Sequence, residues 1–400
     1  MLRRLTFLLA TLLGMAQAAP PLQPLIDATP AGGTLRPAPG IYAGPAVIAK
    51  PITLDGGGKA TLAGNGRGTV LTLATSGATL RGLRLTGSGD SHDGIDAGLL
   101  VAGDDNLVEH NTIDDVLFGI HLRQGNRNRI RANRVTGRAA PRGARGDGLR
   151  LWNSRHNRIE GNAFRTVRDL TFANSPDNLI LRNTLADGRY GMQFVFSPRA
   201  RVEGNRLADT DTGIAVLYSP DLVLRGNTIA HALDGGGAGL SLKDSGGALV
   251  EGNEILHCAA GLSANAPLNA EIALTVRGNR FAHNIVGMYF YGEQGGHKIV
   301  DNRFENNLTQ VAVSAAGVGA ANDWTGNLWS DYQGFDRDGD GIGDTPHEVW
   351  LYSDRIWMET PRAKFFANSP ALELLDFLEK LAPFAAPSLI LRDPAPRMAK

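Results

Sequence analysis

Ten asparagines recur in one frame along the middle of the chain, and no other feature narrows the possible folds as far. Each stands in the pattern apolar, two variable residues, Asn, one variable residue, apolar: Asn111, Asn133, Asn162, Asn183, Asn205, Asn227, Asn253, Asn279, Asn302 and Asn327. Successive members lie 22, 29, 21, 22, 22, 26, 26, 23 and 25 residues apart, a repeat with occasional insertions. The flanking segments, such as Val108 and Ile113 or Ile159 and Phe164, are short, β-branched or aromatic, and punctuated by glycine. That suits strands and lacks the dense leucine frame of a leucine-rich repeat. The period predicts an all-β chain, a right-handed parallel β-helix in which each coil pairs with the next at about 4.8 Å and equivalent side chains stack along the axis. A recurring Asn then forms an internal ladder, satisfying turn backbone and pairing with the amides above and below. The ten asparagines are read as structural, and none is assigned to catalysis.

A further strand follows most of these turns, opening on Gly119, Gly148, Gly191, Gly213, Gly239, Gly261 and Gly287, with Asp169 in the place of glycine in one coil. Alternation along it turns Ile120, Leu149, Met192 and Met288 inward, so the two methionines fill core rather than bind copper. The outward rows are then His121, Arg150, Thr171, Gln193, Ala215, Ser241, Ser263, Tyr289 and Arg123, Trp152, Ala173, Val195, Leu217, Lys243, Asn265, Tyr291. Neither holds a carboxylate, whereas glycoside hydrolysis needs a pair flanking the bond. An exported polysaccharide lyase or epimerase is therefore the alternative reading and a non-catalytic scaffold the first. The segment SHDGID, with His92, Asp93 and Asp96, reads as a Gly- and Asp-rich turn. Trp152, Val195, Leu217 and Tyr291 form an apolar stripe on a face expected to be wet, a candidate protein contact unless the C-terminal region folds over it. The insertion RAAPRGARGD, with Arg138, Arg142 and Arg145, predicts a projecting loop, either a contact site or a solvated excursion.

Forty acidic and forty basic side chains leave no net charge, which removes the basic footprint of a nucleic-acid or anionic-membrane partner. Arg3 and Arg4, an apolar stretch over 5–15 and the small residues Ala16 and Ala18 read as a signal peptide over 1–18. The stretch is too short to span a bilayer, and no later segment approaches the ~20 apolar residues required, so the mature chain is expected to be soluble outside the cytoplasm. Cys258 stands alone, excludes an internal disulfide and reads as a small buried residue. The nine histidines show no cluster at metal-ligand spacing. The β-helix is placed at 19–330 and a C-terminal extension at 331–400.

In that extension the segment DRDGDGIGD sets Asp336, Asp338, Asp340 and Asp344 between glycines. With the Ile342 carbonyl they supply oxygens in the order of a calcium-binding EF-hand loop, and a structural Ca²⁺ is expected. The position that wants a bidentate Glu holds His347, with Glu348 next. Ser369 as N-cap and Pro370 at the first helical position predict a helix over 370–381, with Leu374, Phe377, Leu378 and Leu381 on one face. It would cap the solenoid's open end or dock into another protein's groove, and the apolar tail FAAPSLIL beyond exceeds what a cap needs.

The stretches GNLWSDYQGFDRDGDGIGDTPHEVW and WMETPRAKFFANSPALELLDFLEKLAPF resemble the C-terminal signature of the NosD family, maturation factors of nitrous oxide reductase. The likeness extends over nearly the whole chain through the β-helical repeat, but its specific part is the extension. It implies a periplasmic subunit of an ABC transporter, formed by an ATPase and a membrane permease, that works with a copper lipoprotein chaperone to supply copper to nitrous oxide reductase as client. The membrane would then be met only through partners, with the C-terminal helix and tail as candidates for the permease contact. Copper would be transient or shared with a partner, and His92, His110 and His121 are the first candidates.

Overall fold

The computed structural model describes residues 18–265, 272–291, 295–314, 319–351 and 388–398. Residues 1–17 of the expected signal peptide over 1–18, and the expected helix over 370–381 with Leu374, Phe377, Leu378 and Leu381, lie outside these residues. The chain is a right-handed parallel β-helix. Three strands per coil build three faces, and one inward column on each keeps register along the molecule. The first column runs from Leu35 to Ile299. The second runs from Tyr42 to Trp329. The third runs from Ile48 to Val313, with one irregularity beside Asp169. The core is these columns, one hydrophobic stack that includes Met192, Met288 and Cys258.

The asparagine ladder stands between the first and second strands. Asn205 shows its logic: Nδ2 donates to the Ile180 carbonyl at 2.9 Å and to Asn227 Oδ1 at 2.9 Å, while Oδ1 accepts the Asn183 backbone N–H at 2.9 Å. Every asparagine of the column is buried, so an amide that both donates and accepts is the side chain able to leave no group unpaired there. The residue before it turns the corner in the left-handed region, as Gly204 does at φ 65° and Arg182 at 51°. A second, shorter ladder of Asn106, Asn128, Asn157 and Asn178 works the same way at another corner and was not anticipated from the sequence.

The glycines that open the third strand are there for clearance. A Cβ on Gly119 would come within 2.3 Å of the Gly148 carbonyl oxygen, and one on Gly191 within 2.4 Å of that of Gly213. Asp169 is tolerated in that column because the register shifts between it and Thr171, and its carboxylate is taken up by Arg189.

Both ends are plugged. Leu22 and Ile26, from the short helix Gln23–Ala28 and its N-cap, bury over the first coil. At the other end the strand Ser388–Asp393 pairs antiparallel with His347–Leu351 and sinks Ile390 and Leu391 into the core beside Trp324 and Trp329. This corrects the expectation that the apolar tail is a docking element: its described part is the lid of the solenoid. The Asp393 carboxylate binds the backbone N–H of Gly326 and of Asn327 and the Trp329 indole, at 3.1, 2.9 and 2.9 Å. No helix among the described residues is long and apolar enough to cross a membrane.

Candidate functional site

The outward rows of the third face are those the alternation predicts, with His121 opposite Arg150, Arg150 opposite Thr171, and Trp152 opposite Ala173. No carboxylate stands in either row. Two carboxylates do sit at the rim of this face: Asp169, which opens its strand in the place of glycine, and Asp147, in the corner before the preceding strand and so outside the alternating rows. Asp147 and Asp169, on adjacent coils, are both buried. Arg168 reaches both, at 2.8 and 3.4 Å, Arg150 approaches Asp147 at 3.2 Å, and Arg189 takes Asp169. Burial raises the Asp147 pKa against the pull of Arg168. Each carboxylate is thus occupied by guanidinium groups and withdrawn from solvent, which is not the open, flanking pair that glycoside hydrolysis uses.

The excursion between Asn133 and Asn162 does not project. Arg142 pairs with Asp187 at 3.3 Å and with Asp211 at 2.6 Å, Arg145 pairs with Asp187 at 3.1 Å, and Arg138 pairs with Asp90 and Asp115. The expectation of a projecting loop is corrected: three arginines strap it to Asp90, Asp115, Asp187 and Asp211 of other coils. His92 lies against it, with Nε2 3.2 Å from the Ala144 carbonyl, and Asp96 closes its own turn by accepting the Ser91 N–H.

The apolar stripe is present but interrupted. Trp152 is 41% exposed, Val195 and Leu217 are half-buried, and Lys243 and Asn265 separate them from Tyr291, which stacks on Tyr289 at 5.6 Å. Phe196 and Tyr218 enlarge it, exposed and stacked at 5.2 Å. Strict alternation would turn both inward. Their positive φ, 49° and 47°, ends the strand and swings them out, and the signal was legible in Asn153, Asn174 and Asp244 at the equivalent corners.

The three copper candidates do not meet. His110 sits at a corner with φ 56°, His92 lies against the arginine excursion, and His121 is 5% exposed on the third face. Burial, with Arg150 and Arg123 nearby, depresses the His121 pKa to about 4, and its Nε2 has no hydrogen-bond partner among the described residues. Histidines nevertheless lie together elsewhere, contrary to the sequence reading: His231 lies tilted against His257 and His257 stacks on His283, with centroids 5.6 and 5.1 Å apart. The missed signal is positional, since each stands four residues after a ladder asparagine. Cys258 is buried with its thiol pKa pushed up to about 11, an inert core residue.

Among the described residues, Asp336, Asp338 and Asp340 are the acidic set whose donor atoms converge within 4.8 Å. Asp336 accepts the Gly339 and Gly341 N–H groups at 2.7 and 2.9 Å, which holds its pKa below the usual range. Ile342 donates its N–H to Asp340, and Asp344 accepts the Arg337 N–H. His347 lies under the stacked Trp329 ring rather than in the loop. Hard carboxylate oxygens on a glycine-bent loop fit Ca²⁺.

The family described as periplasmic copper-binding protein (NosD) matches residues 133–334, half of the chain and most of the coils just described. The chain belongs to the NosD family. A right-handed β-helix region also matches residues 59–164. Relatives named probable ABC transporter binding protein NosD, from Pseudomonas aeruginosa and Stutzerimonas stutzeri, are 33% and 31% identical over 102 residues, 24% of this chain. The chain spans 23% of the length of these NosD relatives. Among solved structures, a mannuronan C-5 epimerase A-module from Azotobacter vinelandii superposes with TM-score 0.60 at 16% identity, covering 78% of this chain and 95% of that one. The catalytic domain of an α-1,3-glucanase gives 0.57 at 14%, covering 74% and 65%. Identity this low is a likeness of fold alone.

Proposed function

We propose that this chain is a periplasmic, non-catalytic scaffold of the NosD type, exported by its leader and working with an ABC transporter of permease and ATPase. Its task is to receive a copper lipoprotein chaperone and assist copper delivery to nitrous oxide reductase. The observation that carries this reading is that the coils matched by the family present an outward face with an apolar stripe and no free carboxylate. Trp152, Val195, Leu217, Phe196 and Tyr218 are the surface we assign to the protein partners, and the helix over 370–381, with Leu374, Phe377, Leu378 and Leu381, to the permease. The Asp336–Asp344 loop is assigned a structural Ca²⁺.

The test is a deletion strain grown under denitrifying conditions. The reading expects copper-deficient reductase in that strain, restoration by the wild-type gene, and permease co-purifying with the chain. A double variant W152A/L217R, altered only on the outward face, should restore less copper while folding normally. A second reading, an exported polysaccharide lyase or epimerase, draws on the buried Asp147 beside Arg150 and His121. Cleavage or epimerisation of a uronate polymer by the purified chain, with fully copper-loaded reductase in the deletion strain, would establish it in place of the first.

A further inference from the structure

The corner after the second strand of each coil carries one column of side chains: Asp187, Asp209, His231, His257, His283 and Asn306. Its register is set by the pairs just before it, Ala186 with Ala208, Ala208 with Ala230, Ala230 with Leu256, Leu256 with Ala282, and Ala282 with Glu305. All six residues hold left-handed backbone, with φ between 52° and 62°. Asn, Asp and His tolerate that conformation better than other side chains, which suffices to explain a single histidine at a corner, such as His110 or His156. It does not explain three in succession. Their rings lie 5.6 and 5.1 Å apart, tilted by 33° and 11°, and all three are exposed. The Asp209 carboxylate stands 3.3 Å from His231 Nδ1.

We propose that His231, His257 and His283 form a site for one copper ion. The identity of the metal rests on the function proposed above, whereas the site itself rests on the ladder. Imidazole nitrogen suits late first-row cations, and divalent affinity on such ligands peaks at copper. With metal–nitrogen bonds of about 2.0–2.1 Å, two nitrogens on one ion stand roughly 3–4 Å apart. Coils separated by about 4.8 Å bring neighbouring imidazoles within that reach once the rings turn from the positions they hold here, and exposed side chains turn about χ1 and χ2. His257 is the member shared by both neighbours, so the ladder holds one ion and not two. Asp209 is a positioning residue: its carboxylate 3.3 Å from His231 Nδ1 favours the tautomer that keeps the proton there and leaves the Nε2 lone pair for metal. Cys258 adds no sulfur ligand, because its thiol is buried against the Leu256 carbonyl at 3.3 Å. An open imidazole site with no thiolate suits an ion that is handed on, since an incoming partner can displace one histidine at a time.

The experiment titrates the purified, tag-free mature chain with Cu²⁺ in saturating calcium and records binding and electron paramagnetic resonance. The wild type should take up one equivalent with nitrogen hyperfine structure from imidazole. The variant H231N/H257N/H283N should bind on the order of 100-fold more weakly and lose that structure. Its fold should be intact, because Asn306 already occupies the same corner in the same conformation. If the triple variant does not fold, H257N alone removes the shared ligand and should still weaken binding. H110N/H156N, histidines at corners outside the column, should titrate as the wild type does. A wild type that takes up no copper, or a ladder variant that folds and titrates like the wild type, overturns the site. The proposed function has a separate arm: if the wild-type gene fails to restore copper to the reductase, that reading falls while the binding result stands.

Discussion

The Asp393 carboxylate accepts the backbone N–H of Asn327 at 2.9 Å, in the place that an eleventh asparagine would take. A residue 66 positions away in sequence thus completes the column and latches the last strand. D393A leaves the Gly326, Asn327 and Trp329 N–H groups without their acceptor, and orphaned buried donors cost about 1–3 kcal/mol each. D393N keeps one acceptor oxygen and should cost clearly less. Urea unfolding of the two variants decides the point, and equal losses would mean that Asp393 is no latch.

Inside the column the stakes are similar. N205A removes the acceptor for Asn183 and the donor to Ile180 and Asn227, so a loss of about 3 kcal/mol is expected. N65A, which removes one exposed turn contact to the Arg67 N–H, should cost below about 1 kcal/mol. Hydrogen exchange should localise the N205A effect to the coils of Asn183, Asn205 and Asn227, since a solenoid's stability is carried between neighbours. A uniform loss along the chain would contradict this.

The coil was legible because its determinants are local: apolar spacing, an asparagine and a glycine fix one turn, and parallel stacking copies it. Relations between coils were harder to read. The insertions that lengthen some coils hide equivalent positions, so His231, His257 and His283 looked scattered although each follows its asparagine at the same interval. Alternation failed at Phe196 and Tyr218, where a left-handed corner reverses the side chain's direction. It also passed over Asp147, which lies before its strand and takes Arg168 from the next coil as well as its own Arg150. The lid formed by Ser388–Asp393 joins segments far apart in sequence, and nothing in its apolar composition distinguishes a plug from a docking strand.

His121 gives the chain a measurable response to acid. Unfolded, it takes up a proton near 6.5; folded, burial and the adjacent Arg150 and Arg123 delay that to about 4. Stability is therefore complete above pH 6.5 and falls as the pH drops towards 4, by roughly 3 kcal/mol from this residue. H121L, which places an apolar side chain beside Leu100 of the preceding coil, should flatten that part of the profile. Parallel profiles for H121L and wild type between pH 7 and 4 would refute the assignment.

Calcium should stabilise the C-terminal end. If the Asp336–Asp344 loop binds Ca²⁺ only when folded, millimolar calcium raises the melting temperature and a chelator lowers it. D338N/D340N should abolish the difference while keeping the turn that Asp336 makes with Gly339 and Gly341. An unchanged melting temperature in the wild type would leave the loop an ordinary turn.

A stack of parallel rungs has no inherent stopping point, and a bare final rung is a template on which another chain can continue growing. Here Leu22 and Ile26 close one rim and Ile390, Leu391 and Asp393 the other. Among the described residues the stack therefore stops at both rims: whole coils could be added or lost between the two stoppers, while rung-on-rung growth at either rim is blocked.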